Sequence, residues 1–238
     1  MSFLDDLLSR GGRGRGGTDP AERRRRMVER QIRRRGVRDE RVLSAMEEVP
    51  RHLFVRPGDR SRAYRDSALP IGHDQTISQP YIVARMTELL EPDEGLRALE
   101  VGTGSGYQSA VLAACGLEVY SVERIEALSE RARETLLQAG YADRVHLRVG
   151  DGSRGWPEEA PFDRIVITAG AEELPDAVRD QLADGGVAVA PVGGRTTQRI
   201  RRYRREGDRF REEEFEAARF VPLIRESAGD RGEDDAGA

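Results

Sequence analysis

The sequence predicts an α/β fold: a mostly parallel sheet covered by helices on both faces, with N-terminal helices before it and a C-terminal antiparallel hairpin after it. Three observations carry this reading. Short apolar runs alternate with helix-length segments between residues 96 and 192, and such alternation implies right-handed crossovers between parallel strands. A cluster of glycines follows the first apolar run at once. The last segment changes character and reads as two strands joined at Gly207-Asp208, a hairpin signal.

In chain order, residues 1–19 carry GGRGRGGTD and read as a flexible Gly/Arg-rich tail. AERRRRMVERQIRRRG and DERVLSAMEEV read as two helices, the first ended by Gly36, the second opened by Asp39 and closed by Pro50. A polar loop through Pro57, Gly58, Pro70 and Gly72 leads to a helix over 80–91, where Pro80 suits the first turn and Ile82, Val83, Met86, Leu89 and Leu90 share one face. Residues 20–92 thus form an N-terminal helical element. Strands follow at 96–101, 117–122, 145–149, 163–168 and 186–192, with helices from about 107, at 125–139 and at 175–183. RIRRYRREGDRF and EEEFEAARFVPLI supply the hairpin, so that 93–225 is an α/β core. Residues 226–238 read as an acidic flexible tail.

Composition narrows the function. The chain has 238 residues, 37% hydrophobic and 34% charged, with a net charge of −4; this suits one sizeable domain. It contains no apolar run long enough to span a membrane and no secretory pattern at its start, so a soluble, cytoplasmic protein with no membrane partner is expected. Its single Cys115 lies in the apolar stretch AVLAACGL and reads as buried and inert. Arg dominates residues 23–35. That stretch suits phosphate contacts or a helix with a solvated outer face; the second reading is favoured, and no nucleic-acid partner is expected.

The chemistry concentrates in LEVGTGSGYQSAVLA, a strand, then Gly102, Thr103, Gly104 and Gly106, then a helix. Glycines permit a sharp turn and close approach of a ligand to the backbone, and the helix start offers free N–H groups. The dinucleotide pattern fails because position 107 is Tyr. The alternative use of these glycines is a purely structural turn. Glu123 ends the next strand, where an acid can accept hydrogen bonds from a ribose diol or stand as an exposed strand-end charge. Glu100 either faces the amino-acid end of a cofactor or caps the loop. Asp151 and Gly152 follow the third strand at the carboxyl edge of the sheet, where open α/β sheets bind ligands. Ser105 sits in G-T-G-S-G, which is no hydrolase elbow. His52, His73 and His146 match no metal spacing.

The G-x-G-x-G loop resembles the S-adenosylmethionine loop of Rossmann-like methyltransferases. The stretch from Gly150 to Ile165, with Trp156 and Ala160-Pro161-Phe162-Asp163, resembles the signature segment of protein-L-isoaspartate O-methyltransferases. The likeness extends through LPIGHDQTISQPYIVARMTELL upstream and ARFVPLI downstream, over about residues 27–224. It implies a single Rossmann-like S-adenosylmethionine-dependent methyltransferase domain over 20–225, expected to be a monomer, that methylates the free α-carboxylate of L-isoaspartyl residues in damaged proteins and peptides and so starts their repair. It also implies that Gln75, Thr76, Ile77, Ser78, Val83, the Gly102 loop, Glu123, Asp151 and Gly152 line the cofactor pocket, and that Ser78 sits where the methyl group meets the acceptor. On its residues alone Ser78 reads as a helix N-cap before Pro80, a role worth about 1 kcal/mol and compatible with the other.

The implied chemistry asks for little acid or base work. A carboxylate with a pKa near ~3.9 is already ionised at neutral pH, and its attack on a sulfonium methyl shrinks charge, so a water-poor site and in-line placement favour it. No metal is expected. Three other readings compete: a small-molecule methyltransferase, an RNA methyltransferase using the Arg-rich helix, and a nucleotide-binding module without activity. After the fourth strand, Ile167-Thr168-Ala169-Gly170-Ala171 lacks the Asn/Asp-Pro-Pro-aromatic element of base-amino methyltransferases.

Overall fold

The structure, a computed structural model, describes residues 19–194 and 196–224. The expected tails lie outside the described residues, except for Asp19. That residue accepts a hydrogen bond from the Ala21 N–H at 3.2 Å and caps the first helix, so it belongs with the fold and not with the tail.

Helix α1 (Pro20–Met27) runs on through a π-helical turn at Val28–Ile32 and a 3-10 turn at Arg33–Arg35, and ends at Gly36, whose φ of 100° suits a residue without Cβ. Helix α2 (Glu40–Glu48) starts on Asp39, which accepts from the Val42 N–H. Together they bury Met27, Val28, Ile32, Val42, Leu43 and Met46; each such side chain contributes about 1.5–3 kcal/mol on burial. The arginines of α1 and its extension are largely committed to this chain. Arg23 and Arg24 reach the Ser61 and Glu47 carbonyls, Arg26 pairs with Glu22, Arg33 with Glu40, and Arg35 with Asp66. Much of this face is solvated and paired within the chain.

A short hairpin of β1 (Leu69–Gly72) and β2 (Gln75–Ile77) precedes α3 (Pro80–Leu89). The sequence predicts only a loop here. The hairpin turns through His73 and Asp74, both at positive φ, and is held by Arg131, which donates to the Ile71 carbonyl from a helix far along the chain. Such a tertiary tether leaves no local signature.

The remaining elements are β3 (Arg97–Val101), α4 (Tyr107–Ala114), β4 (Glu118–Glu123), α5 (Glu126–Ala139), β5 (Val145–Val149), β6 (Phe162–Ile167), α6 (Asp176–Arg179), β7 (Leu182–Gly193), β8 (Gln198–Glu206) and β9 (Arg209–Ala218). They build one seven-stranded sheet in the order β5-β4-β3-β6-β7-β8-β9. The pairs from β5 to β7 are parallel, while β7–β8 and β8–β9 are antiparallel. The mostly parallel sheet and terminal hairpin are therefore as the sequence predicts. Strand order runs outward from β3 to β5, then restarts with β6 on the other side of β3. The ligand site of an open α/β sheet lies at such a switch point, beyond the carboxyl ends of the strands.

Alternation along β3 divides the core. Ala98 packs with the N-terminal helices, α3 and α4, whereas Leu99 and Val101 pack with Phe162, Val178 and Leu182 on the opposite face. Two boundaries differ from expectation. Helix α6 spans only Asp176–Arg179, and β7 already begins at Leu182, passing through Gly185-Gly186 with a shift in register against β6. The last strand ends at Ala218; beyond it the chain becomes a strap, in which Gly170 donates to the Val221 carbonyl and Leu223 donates back to Gly170, both at 2.7 Å.

Candidate active site

The carboxyl ends of β3, β4 and β6 open into a cleft. Its floor is the loop after β3. Gly102 has φ 99°, and a Cβ there would stand 2.5 Å from the Thr168 hydroxyl oxygen. Thr168, at the end of β6, donates to the Gly102 and Val101 carbonyls and so clamps the loop onto the sheet. A side chain at 102 would force the two strand ends apart.

One wall is Glu123, buried at the end of β4. Its carboxylate accepts the Gly104 N–H at 2.8 Å and the Ile125 N–H at 3.0 Å. It is the only carboxylate among the residues lining the cleft. The opposite wall comes from Gln75, Thr76, Ile77 and Ser78 at the end of the β1–β2 hairpin, with Ile82, Val83 and Met86 of α3; the strap at 220–224 forms the rim. Thr103, Gly104, Ser105 and Gly152 also line it. A Cβ on Gly152 would lie 2.6 Å from Val101 Cγ1.

Ten of the residues singled out from the sequence thus meet at one cleft: Gln75, Thr76, Ile77, Ser78, Val83, Gly102, Thr103, Gly104, Glu123 and Gly152. Three do not line it. Gly106 sits at the start of α4 with φ 83°, and a Cβ there would press on Ala132 and Leu136 at 3.3 Å, so its smallness serves the packing of α4 on α5. Asp151 accepts from the Ser153 N–H and hydroxyl and caps the 3-10 turn at Gly152–Arg154. Glu100 is fully buried and lies on the α4 face of β3, accepting from Ser109 and Ser121. The period of two along the strand puts it under the helix, away from the cleft, and its other oxygen is buried with no hydrogen-bond partner. It braces the loop from below, through Ser121 and the Thr103 hydroxyl 2.6 Å from it.

Ser78 departs from its expected capping role. The residue before α3 is Gln79, no side chain caps that helix, and the Ser78 hydroxyl has no hydrogen-bond partner among the described residues. The histidines stay outside the chemistry: His52 meets the Tyr64 hydroxyl, His146 meets Glu118, and His73 is exposed on the hairpin turn. Among the described residues no group of His, Cys, Asp and Glu can hold a metal, and no helix is long and apolar enough to cross a membrane. Thr168, Ile125 and the strap residues Phe220 to Leu223 line the cleft without having been singled out as cofactor-pocket residues. Thr168 had a signal, a polar residue at a strand's carboxyl end; the strap's place depends on tertiary contact.

The donor set suits an S-adenosyl group. A buried carboxylate at the strand end offers acceptors to a ribose diol, the start of α4 presents backbone N–H groups, and apolar side chains from α3, β4 and Ile125 flank the opening. Fold and cleft together define a Rossmann-like S-adenosylmethionine-dependent methyltransferase. The sequence model of the family described as Protein-L-isoaspartate(D-aspartate) O-methyltransferase (PCMT) matches residues 22–228. The chain belongs to this family.

Individual similarities agree. A protein-L-isoaspartate O-methyltransferase of Methanoregula boonei is 53% identical over 204 residues, covering 86% of this chain and 94% of the relative. A solved structure of a protein-L-isoaspartate O-methyltransferase superposes with a TM-score of 0.74 at 29% identity, covering 83% of this chain; this chain spans 65% of that longer one. A structure from Plasmodium falciparum, described as a putative protein-L-isoaspartate O-methyltransferase in complex with S-adenosyl-L-homocysteine, gives a TM-score of 0.73 at 25% identity, covering 84% of this chain and 98% of that one.

Two outcomes follow from this geometry. Glu123→Ala is expected to weaken S-adenosylmethionine binding by about 1.5–3 kcal/mol, the range for a lost hydrogen bond to a charged group; unchanged affinity by calorimetry removes Glu123 from the cofactor site. Burial pushes the Glu100 carboxyl up from its ordinary 4.5 to about 7, against the pull of the Ser109 and Ser121 hydrogen bonds and with a further push from Glu123. Across that window the folded protein keeps a proton that the unfolded chain releases, so the stability tied to this group is full below about 4.5 and is lost as pH rises to about 7. Glu100→Gln removes this dependence. The melting temperature of the variant, measured relative to the parent, is expected to climb between these two pH values, and a constant difference contradicts the assignment.

Proposed function

We propose that this chain, one methyltransferase domain over residues 20–225 with a helical element at 20–92 and an α/β core at 93–225, transfers a methyl group from S-adenosylmethionine to the free α-carboxylate of L-isoaspartyl residues in damaged proteins and peptides. Its family and its relatives support the reaction. The observation that carries the site assignment is the meeting of two cavities at Ser78. Behind the cofactor cleft lies a second groove lined by Tyr81, Glu216, Arg35 and Arg219, and it shares Thr76, Ser78, Ile82, Thr168, Phe220 and Val221 with the cleft. Its rim carries the exposed Arg219 and the Arg35 guanidinium, while Glu216 is held by the Tyr81 hydroxyl and Arg85. Arg35 is paired with Asp66, so Arg219 is the groove cation left to face an acceptor carboxylate.

When bound, S-adenosylmethionine supplies an electrophilic methyl on a positively charged sulfur. The protein's part is placement. Glu123, Gly102, Thr103, Gly104 and Gly152 hold the cofactor at the strand ends, with Gln75 to Ser78 and Val83 opposite. The free hydroxyl of Ser78 donates a hydrogen bond to the acceptor carboxylate and fixes its line of approach. No residue need remove a proton, because the acceptor is already ionised at neutral pH, and no histidine lines the cleft. The strap at 220–223 sets apolar side chains along the rim, and a water-poor site strengthens the attraction between a carboxylate and a cationic centre. The protein is read as a cytoplasmic monomer whose partners are its isoaspartyl substrates, with no nucleic acid among them; the self-paired arginines of α1 favour this over an RNA substrate.

The test is methyl transfer to an isoaspartyl peptide, its aspartyl twin and bulk RNA, with the parent enzyme and Ser78→Ala side by side. The parent is expected to methylate the isoaspartyl peptide alone. Ser78→Ala is expected to lower kcat/KM by on the order of tenfold to a hundredfold, the equivalent of one hydrogen bond to a charged group, while retaining most cofactor affinity and thermal stability. Full turnover in Ser78→Ala removes the serine from the acceptor site, and preferred methylation of RNA overturns the substrate assignment.

A further inference from the structure

Arg51 is a fully buried cation with no carboxylate paired to it among the described residues. It is 0% exposed, and among the described residues no acidic group lies within ion-pair distance of it. Buried charges in proteins are ordinarily paired, because removing a charge from water is expensive. Here the compensation is of another kind. Nε donates to the Ala63 carbonyl at 2.8 Å, one terminal nitrogen donates to the Ser78 carbonyl at 2.7 Å, and the guanidinium lies over the Tyr107 ring, 4.7 Å from its centroid. The other terminal nitrogen is buried with no hydrogen-bond partner. An apolar side chain of similar volume would fill this space at a lower desolvation cost, so stability alone does not account for an arginine.

The three groups that Arg51 touches belong to segments that converge on the cleft. Ala63 belongs to the N-terminal element, Ser78 ends the hairpin wall, and Tyr107 opens α4 directly after the glycine loop. Ser78 and Tyr107 both line the cleft. The Ser78 hydroxyl is not oriented by any bond of its own, and the next residue begins the approach to α3 without a side-chain cap. The point from which the Ser78 side chain projects is set by the backbone, which Arg51 holds at the Ser78 carbonyl. A planar fork that can reach two carbonyls and stack on a ring at once is a property of arginine that lysine lacks.

We propose that Arg51 is a positioning residue for methyl transfer: by holding the Ser78 carbonyl against Ala63 and Tyr107 it sets the Ser78 hydroxyl toward the acceptor carboxylate. This rests on the acceptor role of Ser78 argued above. Arg51 does not line the cleft and makes no contact with substrate; it acts through the serine.

The experiment is a double-mutant cycle on the full-length enzyme. Arg51→Lys and Arg51→Gln, each made with and without Ser78→Ala, are measured for kcat and KM on an isoaspartyl peptide, for S-adenosylmethionine affinity by calorimetry, and for melting temperature. Acting through Ser78, Arg51→Lys is expected to lower kcat/KM about tenfold when Ser78 is present and less than about twofold on top of Ser78→Ala, the non-additivity that residues working as one unit show. Cofactor affinity stays within about twofold, because the contacts at Glu123 and the glycine loop are intact. An equal loss with and without Ser78→Ala, no loss at all, or failure of both Arg51 variants to fold overturns the proposal, since Arg51 then supports the fold or nothing. If Ser78→Ala alone keeps full turnover, the acceptor role of Ser78 fails and this proposal falls with it. If Ser78→Ala slows transfer while Arg51→Lys is purely additive, only the role of Arg51 fails.

Discussion

The carboxylate of Glu123, accepting the N–H groups of Gly104 and Ile125, fastens the site together. It joins the loop after β3 to the turn after β4, two segments that the parallel sheet delivers side by side at one edge. Hydrogen bonds to a charged acceptor are the stronger kind, about 1.5–3 kcal/mol each, and both fall on backbone donors that would otherwise be unsatisfied at strand ends. With the loop so held, and clamped from below by Thr168, the cleft has a defined floor before any ligand arrives. Preorganised groups of this sort need no rearrangement in the reaction.

The second constraint is steric. Gly102 and Gly152 stand where a Cβ would meet Thr168 or Val101 at 2.5–2.6 Å, so the strand ends approach more closely than side chains permit. The C-terminal strap then crosses the opening through its pairing with Gly170. Its residues Phe220 and Val221 line both the cleft and the neighbouring groove, as do Thr76, Ser78, Ile82 and Thr168.

Much of this was legible in the sequence because it is written in local pattern. The apolar runs of β3 to β7 give the sheet, the glycines after β3 give the loop, and Asp39 and Gly36 give helix ends. What escaped depends on contacts distant in the chain. The β1–β2 hairpin is short, buries only Leu69, Ile71 and Ile77, and is held by Arg131. The start of β7 at Leu182 falls inside the segment read as a helix at 175–183, yet Leu182 pairs with Phe162 ahead of a register shift. Glu100 was open between a cofactor role and a loop role; the strand's period of two decides for the interior, where burial, two serine hydroxyls and α4 surround it. Ser78 looked like a cap because it precedes Pro80, but helix α3 begins one residue later than a serine cap requires. Arg51 went unread in the sequence; its role depends on Ala63, Ser78 and Tyr107, which lie farther along the chain.

The central claim is that donor and acceptor approach from separate cavities and meet beside Ser78. A crystal structure of the protein with S-adenosylhomocysteine and an isoaspartyl peptide tests this most directly. The account predicts the ribose against Glu123, the sulfur facing Ser78, and the peptide in the groove beside Tyr81 and Arg219 with its free carboxylate at the serine hydroxyl. A peptide bound outside that groove, or a sulfur separated from Ser78 by the Phe220 strap, contradicts it.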